Sequence, residues 1–279
     1  MPLGILASLF ALAAARSATA TSYDGVPIHY ETTGQGRPAL LLVHCWTCDS
    51  TFWQDHVARL AKSRQVVTLD LAGHGRSGRG RTDYTMQAFG QDVKAVADAL
   101  KLDRIVLVGH SMGGAVILEA AHLLGDRVVG LVPVDTLQDV EDHTDPKEAD
   151  EMAAKMKADY RGTTAAFARQ YLFAPSTPPA VADRVLAATA AFPPEISISA
   201  LRNNWLYDSA GGFDAVKVPI AAVNGDRFPT NFEANRRHAP QFDAVIMKGV
   251  GHYPMLEDPA RFGALLDEAL GKIDAYWRK

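Results

Sequence analysis

Cysteine is nearly absent from this chain, with two residues in 279, Cys45 and Cys48. So few cannot knit a disulfide scaffold, and a single Cys-x-x-Cys without a second pair or paired histidines makes a poor zinc site. A redox dithiol would sit on the wrong element here, so two semi-buried thiols are expected, with a local disulfide open if the chain is exported. Charge of one sign is also lacking. Lysine and arginine total 28 against 32 aspartate and glutamate, a net charge of −4, which gives no electrostatic case for nucleic acid or an anionic membrane. No apolar run reaches the roughly 20 residues that a bilayer span needs, so stable membrane insertion is not expected. Internal repeats and low-complexity tracts are missing, and no motif speaks for a particular oligomeric state.

The amino terminus differs in character from the rest. Leu3 to Ala15 is almost wholly apolar, no lysine or arginine precedes Arg16, and Ala18-Thr19-Ala20 offers a small-residue cleavage site. Residues 1–20 therefore read as a signal peptide without its basic start, which implies a secreted or periplasmic protein; uncleaved, the chain would be cytoplasmic. The whole is 48% hydrophobic and 22% charged, as expected of one globular domain with room for an insertion.

Continuous apolar runs recur at Ala39–Val43, Gln65–Leu69, Arg104–Val108 and Val128–Val132, which suits parallel strands buried on both faces. Helical spacing separates them, at Asp92–Leu100 and Gly114–Leu124. This alternation predicts an α/β fold built on a doubly wound, mostly parallel sheet. From Thr136 to Gly212 the pattern turns helical and alanine-rich, and reads as a helical cap inserted into a core made of residues 21–135 and 213–279. Strand character returns at Val218–Val223 and Ala244–Met247, and a final amphipathic helix begins at Pro259.

The chemistry concentrates at Gly109-His110-Ser111-Met112-Gly113-Gly114, directly after an apolar run. Serine between glycines at a strand-to-helix turn reads as a nucleophile elbow, in which the strained turn exposes the hydroxyl and the helix start faces a developing oxyanion. A serine hydroxyl needs a base, and the base needs an orienting acid. His252 lies in the loop after the last predicted strand, at the sheet edge that carries Ser111. Two aspartates follow strands between Ser111 and His252, and chain order does not separate them. Asp226 is favoured because it follows the penultimate strand, and Asp135 is its rival. The N–H of Met112 and one from the loop His44-Cys45-Trp46-Thr47-Cys48, by position that of Trp46, would form the oxyanion hole. Gly73-His74-Gly75-Arg76-Ser77-Gly78 matches G-x-G-x-x-G in letters, but no helix follows to hold a pyrophosphate.

These features together resemble the α/β-hydrolase superfamily, in the group with a G-H-S-M-G elbow. The resemblance runs from about Tyr23 to the carboxyl terminus. It rests on His44, on Asp70-Leu71-Ala72-Gly73-His74-Gly75-Arg76-Ser77, on Ser111, and on Gly251-His252 followed by Glu257-Asp258-Pro259. One departure stands out, since Cys45 occupies a position where the family usually has glycine. The resemblance implies a carboxylesterase-like serine hydrolase acting on a small-molecule ester or lactone, with no cofactor and no metal. A carbon–carbon bond hydrolase, a cofactor-free haloperoxidase, or a receptor with a residual triad would use the same residues. His44, Cys45, His110, Trp205 and Tyr253 are the candidate pocket residues.

Overall fold

The computed structural model describes residues 15–278. Eight strands form one sheet in the order β1-β2-β4-β3-β5-β6-β7-β8. These are β1 (Arg16–Thr21), β2 (Pro27–Thr33), β3 (Ala39–Val43), β4 (Val66–Leu69), β5 (Ile105–His110), β6 (Val128–Val134), β7 (Ile220–Gly225) and β8 (Phe242–Met247). β1 and β2 run antiparallel to their neighbours, while β4, β3 and β5 through β8 are parallel. Each residue of β3, β5 and β6 is buried, because helices cover both faces.

The helices are α1 (Gln54–Leu60), α2 (Met86–Ala99), α3 (Met112–Leu124), α4 (Pro146–Ala158), α5 (Tyr160–Phe167), α6 (Pro179–Ala191), α7 (Pro194–Trp205), α8 (Ser209–Ala215), α9 (Phe232–His238), α10 (Pro254–Glu257) and α11 (Pro259–Tyr276). Helix α3 is buried on nearly every side, including Val116, Ile117 and Ala120, which explains its weakly amphipathic sequence. Among the described residues, no helix is long and apolar enough to cross a membrane.

Helices α4 to α7 lie between β6 and β7, in the stretch expected to form an inserted cap, and α8 follows them before β7. Helix α8 spans the boundary expected at residue 212 and packs with α3 and α9, its Phe213 fully buried 5.8 Å from Phe242. The expected leader meets the sheet. Its residues 1–14 lie outside the described residues, but Arg16 to Thr21 pair with Thr32 to Pro27 as an edge strand, so the proposed cleavage site at Ala18-Thr19-Ala20 lies within β1.

The loop that matched G-x-G-x-x-G is a set of turns with no helix start behind it. Asp70 accepts from the N–H groups of Ser50 (2.8 Å) and Arg76 (2.9 Å), fastening this loop to the segment that follows β3. Asp92 of α2 is fully buried and bonded to Arg81, Ser22 and the N–H of Ala72, which fixes the loop's other end.

Candidate active site

Ser111 sits between β5 and α3 with φ 54° and ψ −120°, a conformation that L-residues rarely adopt. Close packing supports the strain. A Cβ on Gly109 would meet the carbonyl oxygen of Gly113 at 2.2 Å, and one on Gly113 would meet the carbonyl of His44 at 2.9 Å. The elbow thus requires glycine where its own turn folds back and where α3 approaches the end of β3.

Ser111 Oγ lies 2.7 Å from His252 Nε2, and His252 Nδ1 lies 2.6 Å from Asp135 Oδ2. A carboxylate can only accept, so Nδ1 carries the proton and Nε2 is free to accept from the serine hydroxyl. Asp135 directly follows β6 with φ 44°, a left-handed conformation that aspartate tolerates better than most residues. Its other oxygen accepts the N–H of Gly225 at 2.8 Å. Burial pushes the Asp135 carboxyl up, but the hydrogen bond and charge of His252, with the Gly225 N–H, outweigh this and hold it below the ordinary carboxylate value.

The acid expected from the sequence, Asp226, is not the partner of His252. It is exposed, one residue beyond β7, and its Oδ1 accepts the N–H of Gly249 at 2.7 Å, closing the turn after β8. The physical reason is strand order. β6 is the immediate neighbour of β5, so its carboxyl end brings Asp135 beside Ser111, whereas β7 lies one strand further out and its end glycine serves Asp135 instead.

Two supports of His252 escape a sequence reading. Glu257, in α10, accepts the N–H groups of Gly251 (2.8 Å) and Tyr253 (3.1 Å) and the hydroxyl of Thr177 (3.0 Å), so it grips the loop on both sides of the histidine. His110 donates its Nε2 proton to the backbone carbonyl of His252 at 2.7 Å, and its ring centroid lies 4.9 Å from that of His252. Burial, reinforced by His252, lowers the His110 pKa to about 3, so it remains a neutral donor. In the sequence Glu257 stands only as part of a motif; its position shortly after His252, at the end of a Pro-initiated stretch that forms the short helix α10, is the signal that points to its role.

The segment after β3 is fixed in the same manner. His44 Nε2 accepts the N–H of Leu71 at 3.0 Å, so its proton is on Nδ1 and is donated to the carbonyl of Cys45 at 2.8 Å. Burial depresses the His44 pKa and keeps the ring neutral. With the carbonyl of the trans Cys45–Trp46 peptide held toward His44, the N–H of Trp46 points the opposite way. Cys45 and Cys48 are joined in a disulfide, so the free thiols expected from composition do not occur.

A cavity of about 490 Å³ opens over Ser111 and His252. Of the candidate pocket residues, Cys45, Trp205 and Tyr253 line it, as do Trp46, Phe167 and Met152. His44 and His110 do not, because both rings are buried beneath the chain they support. Phe167 stands edge-on to Trp46 at 6.1 Å and 5.9 Å from Trp205, making an aromatic wall where the insertion meets the core. Asp142 and Glu148 carry charge at the exposed rim, and among the described lining residues there is no lysine or arginine.

Known proteins share this architecture. An esterase from Thermogutta terrifontis superposes with a TM-score of 0.80 and 27% identity, covering 92% of this chain and 99% of that one. Est816, described as an N-acyl homoserine lactone degrading enzyme, superposes with a TM-score of 0.76 and 25% identity over 90% of this chain and 99% of its own. An uncharacterised protein of Mycobacterium tuberculosis is 35% identical over 105 residues, 38% of this chain but only 30% of that protein. A sequence model of the alpha/beta hydrolase family matches residues 40–265, the span that holds Ser111, Asp135 and His252. By that match and by its eight-stranded sheet, the chain belongs to the alpha/beta hydrolase family.

Proposed function

We propose that the protein is a serine hydrolase that cleaves a carboxylic ester or lactone of a small, largely apolar substrate through an acyl-enzyme on Ser111. His252 Nε2 takes the hydroxyl proton as Ser111 Oγ attacks the carbonyl carbon, and Asp135 stabilises the imidazolium that forms. The N–H groups of Met112 and Trp46 receive the oxyanion, the first from the start of α3 and the second from the turn held by His44. His252 then gives its proton to the departing alkoxide. Water, deprotonated by the same ring, attacks the acyl carbon; as the acyl–Oγ bond breaks, His252 returns that proton to Ser111 Oγ and the acid is released.

The observation that carries this reading is the hydrogen-bonded chain Ser111–His252–Asp135 opening into an aromatic-walled cavity. The likeness to an esterase and to a lactone-degrading enzyme agrees with it. The acidic rim without a basic side chain favours neutral or cationic substrates over anionic ones.

The test is hydrolysis of p-nitrophenyl esters of two to eight acyl carbons and of N-acyl homoserine lactones by the wild type and Ser111→Ala. Activity on at least one class, lost in the variant, supports the proposal. Equal rates in both proteins would refute it.

A further inference from the structure

The turn that carries Trp46 is built against its own conformational preference. Thr47 has φ 56°, although a β-branched residue is strongly disfavoured in the left-handed region. The N–H of Cys48 returns to the carbonyl of Cys45 at 3.2 Å, so Cys45 to Cys48 forms a four-residue turn with threonine where glycine or asparagine is ordinarily required. Two constraints hold it: the His44 proton on the Cys45 carbonyl, and the Cys45–Cys48 disulfide, which joins the first and last residues of the turn. The turn is also where the insertion rests on the core. Thr47 Oγ1 lies 2.9 Å from Thr189 Oγ1 of α6, and Trp46 Nε1 donates to the carbonyl of Ser197 in α7 at 2.8 Å.

We infer that the Cys45–Cys48 disulfide is a positioning element for catalysis, holding Thr47 in its strained conformation so that the Trp46 N–H stays aimed at the oxyanion, and that turnover therefore depends on the bridge being intact. The inference rests on the serine-hydrolase reading above. A dithiol reductant transfers two electrons and two protons to the bridge, giving two cysteine thiols and the cyclic disulfide of the reagent. Thr47 is then free to relax to negative φ, which rotates the adjoining peptides and draws the Trp46 N–H from its position. Ground-state binding in the aromatic cavity depends little on that N–H, so the loss falls on kcat rather than KM.

The experiment measures hydrolysis of a short p-nitrophenyl ester by the oxidised protein, by the same protein after dithiothreitol, and by Cys45→Ala/Cys48→Ala, with thiols counted after denaturation. Removing one oxyanion donor outright costs about 10²- to 10³-fold in kcat; a displaced one is expected to cost about 10- to 100-fold, with KM changed less than about threefold. Reoxidation restores the rate, and the double alanine variant is slow with or without reductant. Adding Thr47→Gly to that variant removes the penalty on positive φ and recovers most of kcat, a rescue that a general stabilising role of the bridge would not give. Two thiols appearing with kcat unchanged, or no rescue by Thr47→Gly in a folded variant, overturns the inference and leaves the hydrolase reading standing. An oxidised wild type without ester turnover overturns both.

Discussion

His252 Nδ1 donates to Asp135 Oδ2 at 2.6 Å, joining the loop after β8 to the residue directly after β6 across 117 positions of sequence. The bond fixes the proton on Nδ1 and leaves Nε2 to serve Ser111. Asp135→Asn presents an amide that favours the opposite tautomer, and kcat on a short ester is expected to fall by about 10⁴-fold. Asp226→Asn loosens only the turn at Gly249, and its kcat should stay near that of the wild type. Steady-state kinetics on the two variants separate the roles.

How much of this site is legible in sequence depends on whether its signals are local. Ser111 announces itself because a tight turn needs small neighbours, and His252 because it lies in a loop after a strand. Asp135 and Asp226 both follow buried strands and differ only in which strand lies beside β5, which is set by sheet order rather than by neighbouring residues. β1 is hard to read from Arg16-Ser17-Ala18-Thr19-Ala20-Thr21 because its alternation is only of small alanines with threonines on an edge strand exposed along most of its length, and the same Ala18-Thr19-Ala20 fits a small-residue cleavage site. The Cys45–Cys48 bridge and the grip of Glu257 depend on backbone geometry that composition does not encode.

Glu257 holds two backbone N–H groups that flank His252. Glu257→Ala frees both, and a base displaced by a fraction of an ångström loses alignment with Ser111. A drop of about 10- to 100-fold in kcat with KM little changed is expected. The pH profile of kcat/KM should keep its shape, since the identity of the base is unchanged. Kinetics across pH on this variant provide the check.

The rim carboxylates Asp142 and Glu148 should discriminate among substrates by charge. In a solvent-exposed setting a nearby charge is worth up to about 1 kcal/mol, or roughly fivefold per carboxylate in kcat/KM. A p-nitrophenyl ester with a terminal acyl carboxylate should therefore be a poorer substrate than its neutral isostere. Asp142→Lys/Glu148→Lys should reverse the preference, and the difference should shrink at high salt. Paired kcat/KM values at two ionic strengths test this.

Stability should decline as pH falls below neutrality. Burial depresses the pKa of His44 and His56, and brings His74 and His110 to about 3. Unfolded, these histidines bind protons near pH 6.5; folded, they do not, so the unfolded chain holds more protons and stability rises with pH. The contribution is fully present above pH 6.5 and is lost progressively as pH falls below it, down to about pH 3 for His74 and His110, at up to about 1.4 kcal/mol per pH unit for each histidine. Urea unfolding midpoints measured from pH 8 to 4 should fall steeply through that window. A flat profile would mean that these rings are solvated or charged in the folded protein.

Covalent capture of the nucleophile bears most directly on the proposed chemistry. A fluorophosphonate should add one equivalent to the wild type, and peptide mass analysis should place the adduct on Ser111 in the peptide containing Gly109-His110-Ser111-Met112-Gly113. Ser111→Ala should take up none, and His252→Ala should react far more slowly. An unlabelled wild type, or an adduct that persists in Ser111→Ala, would contradict the assignment of Ser111 as the nucleophile.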